Sequence, residues 1–151
     1  MNILSSDQIL KQIKKIIHKD TQLHENSIDL TVDSIHQFTG AGSLDFGGSE
    51  FVPAKTERIK AKKKSPDDDY GWWNLKAGTY KAEFNEAITL DVNTRALITL
   101  HEHARQAGIL ANMQLIQNSG RLSVVFEVLN IGCNIKENAR MATLRLIQST
   151  A

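Results

Sequence analysis

Residues 124–130 read VVFEVLN, and this stretch indicates the fold class of the whole chain. It is rich in β-branched and aromatic residues, which are typical of strands. Because strand side chains alternate between faces, the face that carries Phe126 is wholly apolar, whereas Glu127 lies between Val125 and Leu129 on the other. A carboxylate there is either a solvent-facing residue or a buried acid, whose pKa desolvation would raise toward neutrality for proton transfer. Periodicity alone leaves both interpretations open.

Further strand-like runs lie on both sides of this stretch. The predicted strands are 27–33, 83–90, 96–100, 121–129 and 142–147. Residues 130–134 are predicted to form the turn before the last strand, and the glycine-rich segment 40–48 a loop or loose hairpin. Many short strands separated by turn residues predict an all-β sandwich, jelly roll or barrel.

The N-terminal segment is the predicted helical part of the chain. Ser5 with Gln8 three residues later fits a capping box. Apolar residues then recur at helical spacing, with lysines on the opposite side. The pattern predicts a helix that ends near 18–20.

Length and composition place the chain among ordinary globular proteins. Its 151 residues suit a single domain, 1–151, and 41% hydrophobic with 23% charged residues is not a disordered composition. A net charge of +1 argues for neither nucleic acid nor a membrane as the main partner. Cys133 is the only cysteine, which excludes an internal disulfide and a cysteine-based zinc site. The absence of a signal-like segment predicts a cytoplasmic protein.

Three other segments each leave two interpretations open. If 101–108 (HEHARQAG) is a strand end, His101 and His103 point the same way and either pair on a metal or are ordinary polar residues. Arg105 in the same segment is a candidate phosphate contact. The Trp72–Trp73 pair either stacks on a base or packs in the core, and the charged segment 60–69 is either a solvated loop or a flap.

The order of these motifs resembles the dCTP deaminase and dUTPase superfamily, most closely the dCTP deaminase branch. The resemblance extends from about residue 5 to 147 and rests on motif order more than on identity. The segments that carry it are, in chain order, NSIDLTV, WWNLKAGTYKAEFNEAITLD, HEHARQAGI, VVFEVLNIG and ARMATLRLI.

That resemblance implies a mainly β fold: a distorted β-barrel or jelly roll of the dUTPase-like β-clip type, with one N-terminal helix. It also implies a homotrimer with active sites between subunits. The implied reaction is hydrolytic deamination of dCTP to dUTP, with dUTP diphosphatase activity as a further expectation. The substrate is a deoxynucleoside triphosphate, Mg²⁺ arrives bound to it, and the protein itself supplies no metal site.

Glu127 is the most specific match to the family. It occupies the position of the glutamate that activates water for attack on C4 of cytosine, three residues before Asn130. Arg105 is the second implied catalytic residue and would contact phosphate. His103 and Gln106 are implied in substrate binding.

The chain also departs from the family pattern. With Gly108 held in register, His101 stands where the family motif has an arginine and Glu102 where it has a serine. Gln117 or Asn118, both implied in substrate binding, stands in place of an aspartate. These departures support an alternative, a catalytically inactive trimeric homologue that binds nucleotide or regulates.

Overall fold

The computed structural model describes residues 1–149, which form short helices and many strands. The helices are α1 (Ser6–Leu10), α2 (Lys19–Gln22) and α3 (Glu102–Gln106). The strands are β1 (Asn2–Ile3), β2 (Ile13–Lys14), β3 (Ile28–Gly40), β4 (Lys55–Ile59), β5 (Trp72–Leu75), β6 (Gly78–Ile88), β7 (Thr94–Leu100), β8 (Ile109–Leu110), β9 (Gln114–Ile116), β10 (Gly120–Val128), β11 (Cys133–Lys136) and β12 (Arg140–Gln148). The prediction of a mainly β chain is confirmed.

The strands form one large antiparallel sheet and one small one. The large sheet has the order β8-β10-β6-β3-β12-β7-β9, with β1 on β12, β2 on β6 and β4 on β3. The small sheet pairs β11 with β5. The consecutive strands β8 and β9 lie at opposite ends of this order, yet only 111–113 join them. Three residues span at most roughly 14 Å, so the large sheet must curl to bring its edges together. The predicted distorted barrel is therefore confirmed as a curled half-barrel.

The N-terminal helix is much shorter than predicted. The capping box is present, since Gln8 N donates to the Ser5 hydroxyl and Ser5 N donates to Gln8 Oε1. The helix nevertheless ends at Leu10, because Ile13 pairs with Ile88 of β6 as part of β2 and is buried there. Lys15 then adopts a left-handed conformation with φ of 65°, which breaks any helix. The prediction of a single helix that ends near 18–20 was therefore wrong. A second helix, α2, begins in that region, and the third helix, α3, was not predicted.

Strand β3 is the centre of the large sheet and is buried on both faces over 28–32. Its apolar side chains enter a core formed with β6, β10 and β12, where Phe84, Phe126 and Leu144 are fully buried. The other face carries Asp29 and Thr31, which are equally inaccessible. The alternating pattern therefore located the strand correctly, but its polar face is covered by protein and not by water.

A tight turn leads from β10 into β11. The first two residues of β11 fall within the predicted turn 130–134. Gly132 N donates to Leu129 O across the turn. Gly132 has φ of 77°, and a Cβ there would lie 2.8 Å from the carbonyl oxygen of Leu75. The close approach lets Cys133 pair opposite Leu75. The turn therefore ends earlier than predicted, and a strand begins at Cys133.

Candidate functional site

Glu127 lies on β10, opposite Thr79 of β6 and Leu110 of β8. Its side chain is exposed and lines an open cleft. The neighbours on its own face, Val125 and Leu129, are exposed as well. Of the two interpretations left open by the periodicity, the solvent-facing one therefore holds for the single chain, and the face that carries Phe126 is the buried one.

The cleft of Glu127 is bordered by apolar side chains that the chain leaves in water. Leu110 and Val125 line the cleft, Leu129 follows Glu127 two residues along the chain, and each of the three is between 41% and 47% exposed. Contiguous exposed apolar surface marks a place where proteins meet other molecules. Glu127 therefore lies among exposed apolar side chains of the kind that another molecule covers on binding.

The segment 101–108 forms helix α3 and not the predicted strand end. The imidazole Nδ1 of His101 accepts a hydrogen bond from His103 N at 3.0 Å, so His101 caps the helix. Gly108, with φ of 93°, follows the last turn in a conformation that glycine favours. The strand geometry on which a His101–His103 metal pair was considered is therefore wrong. Among residues 1–149, no group of three or more histidine, cysteine or acidic side chains is arranged to hold a metal ion.

A buried carboxylate, Asp29, lies behind α3. Its Oδ2 lies 3.0 Å from Arg140 Nη1, 3.0 Å from His24 Nε2 and 3.7 Å from His101 Nε2. Burial lowers the pKa of His101, and Asp29 opposes that effect. This cluster was not predicted, because an alternating strand pattern predicts that the aspartate faces water.

Three members of the cluster, His24, Asp29 and His101, line a polar cleft that also contains Arg105. The lining comes from the α2–β3 connection, β3, β7, α3 with its N-cap, and β12, namely His24, Ser27, Asp29, Thr99, Leu100, His101, Glu102, Arg105, Thr143 and Arg145. Asp29 is already paired with Arg140, so the arginines Arg105 and Arg145 remain to attract an anion, with Glu102 opposing them. Guanidinium groups bind phosphate through paired hydrogen bonds. The cleft is therefore suited to a phosphorylated ligand.

A second buried acid, Glu86 on β6, supports this floor. Glu86 accepts hydrogen bonds from Thr31 N at 2.8 Å, from the Thr31 hydroxyl at 2.5 Å and from Gln22 Nε2 at 3.0 Å. Gln22 Nε2 also donates to the backbone carbonyl of Asp29 at 2.8 Å. Burial raises the pKa of Glu86, and these hydrogen bonds counteract the rise. Glu86 thus ties β6 to α2 and to the part of β3 that carries Asp29.

The remaining predicted site residues are distributed over separate surfaces. His103 faces an apolar cavity on the other side of α3. Gln106 donates to Glu102 Oε1 at 3.4 Å on the exposed face of the helix. Gln117 and Asn118 are exposed in the turn between β9 and β10. The single chain therefore does not bring the predicted set together, and Glu127 and Arg105 line different clefts.

The two clefts are nevertheless linked through the backbone. Helix α3, which carries Arg105, runs through Gly108 into β8, and β8 pairs with β10 beside Glu127. In addition, Leu129 N donates to Gly108 O at 3.1 Å. Helix α3 and the strand of Glu127 are therefore in direct backbone contact.

The chain is thus a mainly β half-barrel with two open clefts, one beside Glu127 and one that contains Arg105 and Arg145. No family model matches the sequence. A protein of Methanosarcina mazei named probable deoxyuridine 5'-triphosphate nucleotidohydrolase is 29% identical over 154 residues, which cover 95% of this chain and 86% of that protein. A protein of the same name from Archaeoglobus fulgidus is 27% identical over 157 residues, with 98% and 89% covered.

A solved structure shares the fold. The 2'-deoxycytidine 5'-triphosphate deaminase from Agrobacterium tumefaciens superposes with a TM-score of 0.71 at 15% identity over 95% of this chain. The present chain spans 46% of the length of that deaminase. The curated relatives and this solved structure support the resemblance of the chain to the dCTP deaminase and dUTPase superfamily. No helix within residues 1–149 is both long enough and apolar enough to span a membrane.

Proposed function

We propose that the chain hydrolyses a pyrimidine deoxynucleoside triphosphate. The observation that carries the proposal is the pair of linked clefts, one with the Glu127 carboxylate and one with Arg105 and Arg145. The curated relatives, named as probable dUTP nucleotidohydrolases over nearly the whole chain, support this class of substrate. Arg105 and Arg145 contact the phosphates, and Glu127 accepts a proton from the attacking water.

Two reactions are consistent with these roles. In the first, water attacks a phosphorus atom of dUTP, and dUMP and pyrophosphate are released; the names of the curated relatives favour this reaction. In the second, water attacks C4 of dCTP, the C4–N bond breaks, and dUTP and ammonia result. The position of Glu127 in the VVFEVLN strand favours this second reaction.

A protein carboxylate and the substrate phosphates could together bind a Mg²⁺ ion that arrives with the triphosphate. Asp29 is paired with Arg140 and His24, which leaves the exposed Glu102 as the carboxylate available in the phosphate cleft. One or two protein carboxylates together with substrate phosphates are a usual ligand set for Mg²⁺. The ion would neutralise phosphate charge and so relieve the repulsion between Glu102 and the triphosphate.

We also propose that the active chain is a homotrimer in which a neighbouring subunit completes the site. Glu127 is exposed in the single chain, and Leu110, Val125 and Leu129 around it lie open to water. A subunit that covers this surface would exclude water from the cleft and strengthen the electrostatic interactions there.

The test is an assay of each pyrimidine deoxynucleoside triphosphate with Mg²⁺, following ammonia and pyrophosphate. We expect pyrophosphate from dUTP or ammonia from dCTP, and a fall of at least about 100-fold in kcat for Glu127→Gln, since general-base catalysis contributes on that order. Glu57→Gln, on the exposed strand β4, is the matched control and should leave the rate unchanged. A wild type that releases neither product but is stabilised by these nucleotides in thermal unfolding would instead support the inactive, nucleotide-binding homologue.

A further inference from the structure

The hairpin between β3 and β4 ends in a loop, 41–54, that holds apolar side chains in water. Leu44 and Phe46 are almost completely exposed, and Phe51 and Val52 are at least half exposed. We refer to 41–54 as the arm loop. A cluster of this kind on a protruding loop is typical of a protein interaction site.

Hydrogen bonds within the arm loop hold the conformation that exposes these apolar side chains. Ser43 and Val52 exchange two backbone hydrogen bonds, of 2.9 and 3.1 Å, and the Ser43 hydroxyl donates to Glu50 O at 2.7 Å. Asp45 Oδ2 accepts from Gly48 N at 3.1 Å and from Glu50 N at 2.9 Å. The tip is thus held by its own contacts while Phe46 points away from the chain. A preorganised loop loses little conformational entropy when it binds.

An apolar cavity of about 220 Å³ lies on a different part of the molecule, between α3, β11 and the start of β12. Its walls include Trp72, Ile109, Cys133 and Met141. A cavity of about 150 Å³ lined by apolar side chains is enough to bind benzene. The present cavity is therefore large enough for a phenyl ring.

Lysine side chains lie at the mouth of this cavity. Lys136 lines it, together with His103 of α3 and with Arg140, whose guanidinium is already paired with Asp29. Lys64 Nζ lies 4.3 Å from the centre of the Trp72 ring at the same edge. The mouth is therefore positively charged above an apolar floor.

We propose that the arm loop of one copy docks into this cavity of a second copy, with Phe46 as the inserted side chain. The arm loop carries Asp45 and Glu50 and neither lysine nor arginine, so its charge complements the cationic mouth. The cleft of Glu127 is also bordered by apolar residues, but its carboxylate would repel the acidic loop. Charge therefore selects the cavity over the cleft.

This contact joins two different surfaces of the same chain. Such head-to-tail contacts form closed rings when the rotation between copies closes. The proposal deepens the assembly part of the proposed function, because His103 and Ala104 of α3 line the cavity while Arg105 of the same helix lines the phosphate cleft. It does not depend on which reaction the protein catalyses.

Photo-cross-linking tests the contact directly. Phe46 is replaced by p-benzoylphenylalanine in the full chain, the purified protein is irradiated, and the adducts are mapped by mass spectrometry. We expect intermolecular adducts on cavity residues such as Met141 and Ile109. The matched control places the same group at Val92, which is exposed on the β6–β7 connection, and should give none there. Intermolecular adducts confined to other surfaces, or only intramolecular adducts, would overturn the proposal.

Self-association provides the second measurement. In sedimentation equilibrium, Phe46→Ser should weaken association roughly 30-fold or more, the change expected for an interface hot spot. Val92→Ser should leave association unchanged. Phe46 is fully exposed and makes no contribution to the core, so Phe46→Ser should still fold, which far-UV circular dichroism checks. The proposal is overturned if the wild type is monomeric, or if Phe46→Ser self-associates as strongly as the wild type. Nucleotide hydrolysis by either protein would show that the proposed reaction holds even if this contact does not.

Discussion

Arg140 Nη1 donates a 3.0 Å hydrogen bond to Asp29 Oδ2 and so joins the first residue of β12 to the buried face of β3. Asp29 is only 2% exposed, whereas about a third of the Arg140 side chain reaches water. The carboxylate also lies near the imidazole nitrogens of His24 and His101, so its partners come from the α2–β3 connection and from the start of α3 as well as from β12. The pair explains how an aspartate is tolerated in the middle of a sheet.

Removal of Arg140 should destabilise the protein through Asp29. In Arg140→Ala the buried carboxylate loses its closest permanent cation, and uncompensated buried charge is costly. Because His24 remains 3.0 Å away, we expect a loss of about 2 kcal/mol in the free energy of unfolding, below the full cost of an unpaired charge. Urea denaturation measures it, with Arg58→Ala on exposed β4 as the control. Equal stability of the two variants would show that Asp29 does not need Arg140.

Glu86 should make stability depend on pH. Burial raises its pKa above the ordinary 4.5, so the folded chain holds this proton more tightly than the unfolded chain. The stabilisation is fully present below pH 4.5 and is lost as the pH rises through the raised folded pKa. The free energy of unfolding of the wild type, minus that of Glu86→Gln, should therefore fall with increasing pH above 4.5.

Denaturation of both proteins at a series of pH values gives this difference. Other titrating groups cancel in the subtraction, and Glu57→Gln serves as an exposed reference. A difference that stays flat, or that rises with pH, would show that the hydrogen bonds from Thr31 and Gln22 outweigh the burial.

The strands could be predicted because apolar and polar residues alternate along a strand that buries one face of its sheet. The same rule misassigned the polar face of β3, since Asp29 is covered by side chains that come from distant segments of the chain. Helix α1 was overextended because Ile13 has the same spacing in a helix and in the short strand that pairs with Ile88. Which of the two forms is decided by tertiary contacts that the local sequence does not contain.

The sequence assigned individual candidate residues to elements of the chain, but it did not predict how these residues are arranged in space. Glu127 was placed on the correct strand, yet whether its face is buried depends on which side the core occupies. Helix α3 is only five residues long, too short for periodicity to reveal, and its cap is a histidine, which is not among the preferred capping residues. Glycine at 108 was the one local signal that could have indicated a helix end.

Gly132 should be far less tolerant of substitution than an exposed glycine. In Gly132→Ala the new methyl group would meet the Leu75 carbonyl oxygen at 2.8 Å, and φ of 77° disfavours alanine. We expect a loss of about 1–3 kcal/mol in the free energy of unfolding. Gly47→Ala is the matched control, since a Cβ there meets nothing within 4 Å. Similar stabilities for the two variants would mean that the β10–β11 turn relaxes without cost.

Arg105 should act on substrate binding more than on protein stability. Its side chain is exposed in the polar cleft, so Arg105→Ala should leave thermal unfolding unchanged. If Arg105 contacts the phosphates as proposed, the variant should raise KM for the triphosphate by about tenfold, the loss of one charge-assisted hydrogen bond. Arg105→Lys keeps the charge but not the paired donors, and its KM should fall between the two. Arg58→Ala controls for a loss of positive charge elsewhere.

The salt dependence of KM separates a direct contact from a general electrostatic effect. Screening weakens exposed charge pairs, so the wild-type KM should rise with salt more steeply than that of Arg105→Ala. If both variants at position 105 bind like the wild type at low and high salt, Arg105 does not contact the phosphates, and Arg145, which lines the same cleft, becomes the residue to substitute. If Arg58→Ala raises KM equally, the effect is one of net charge, and the cleft is not the phosphate site.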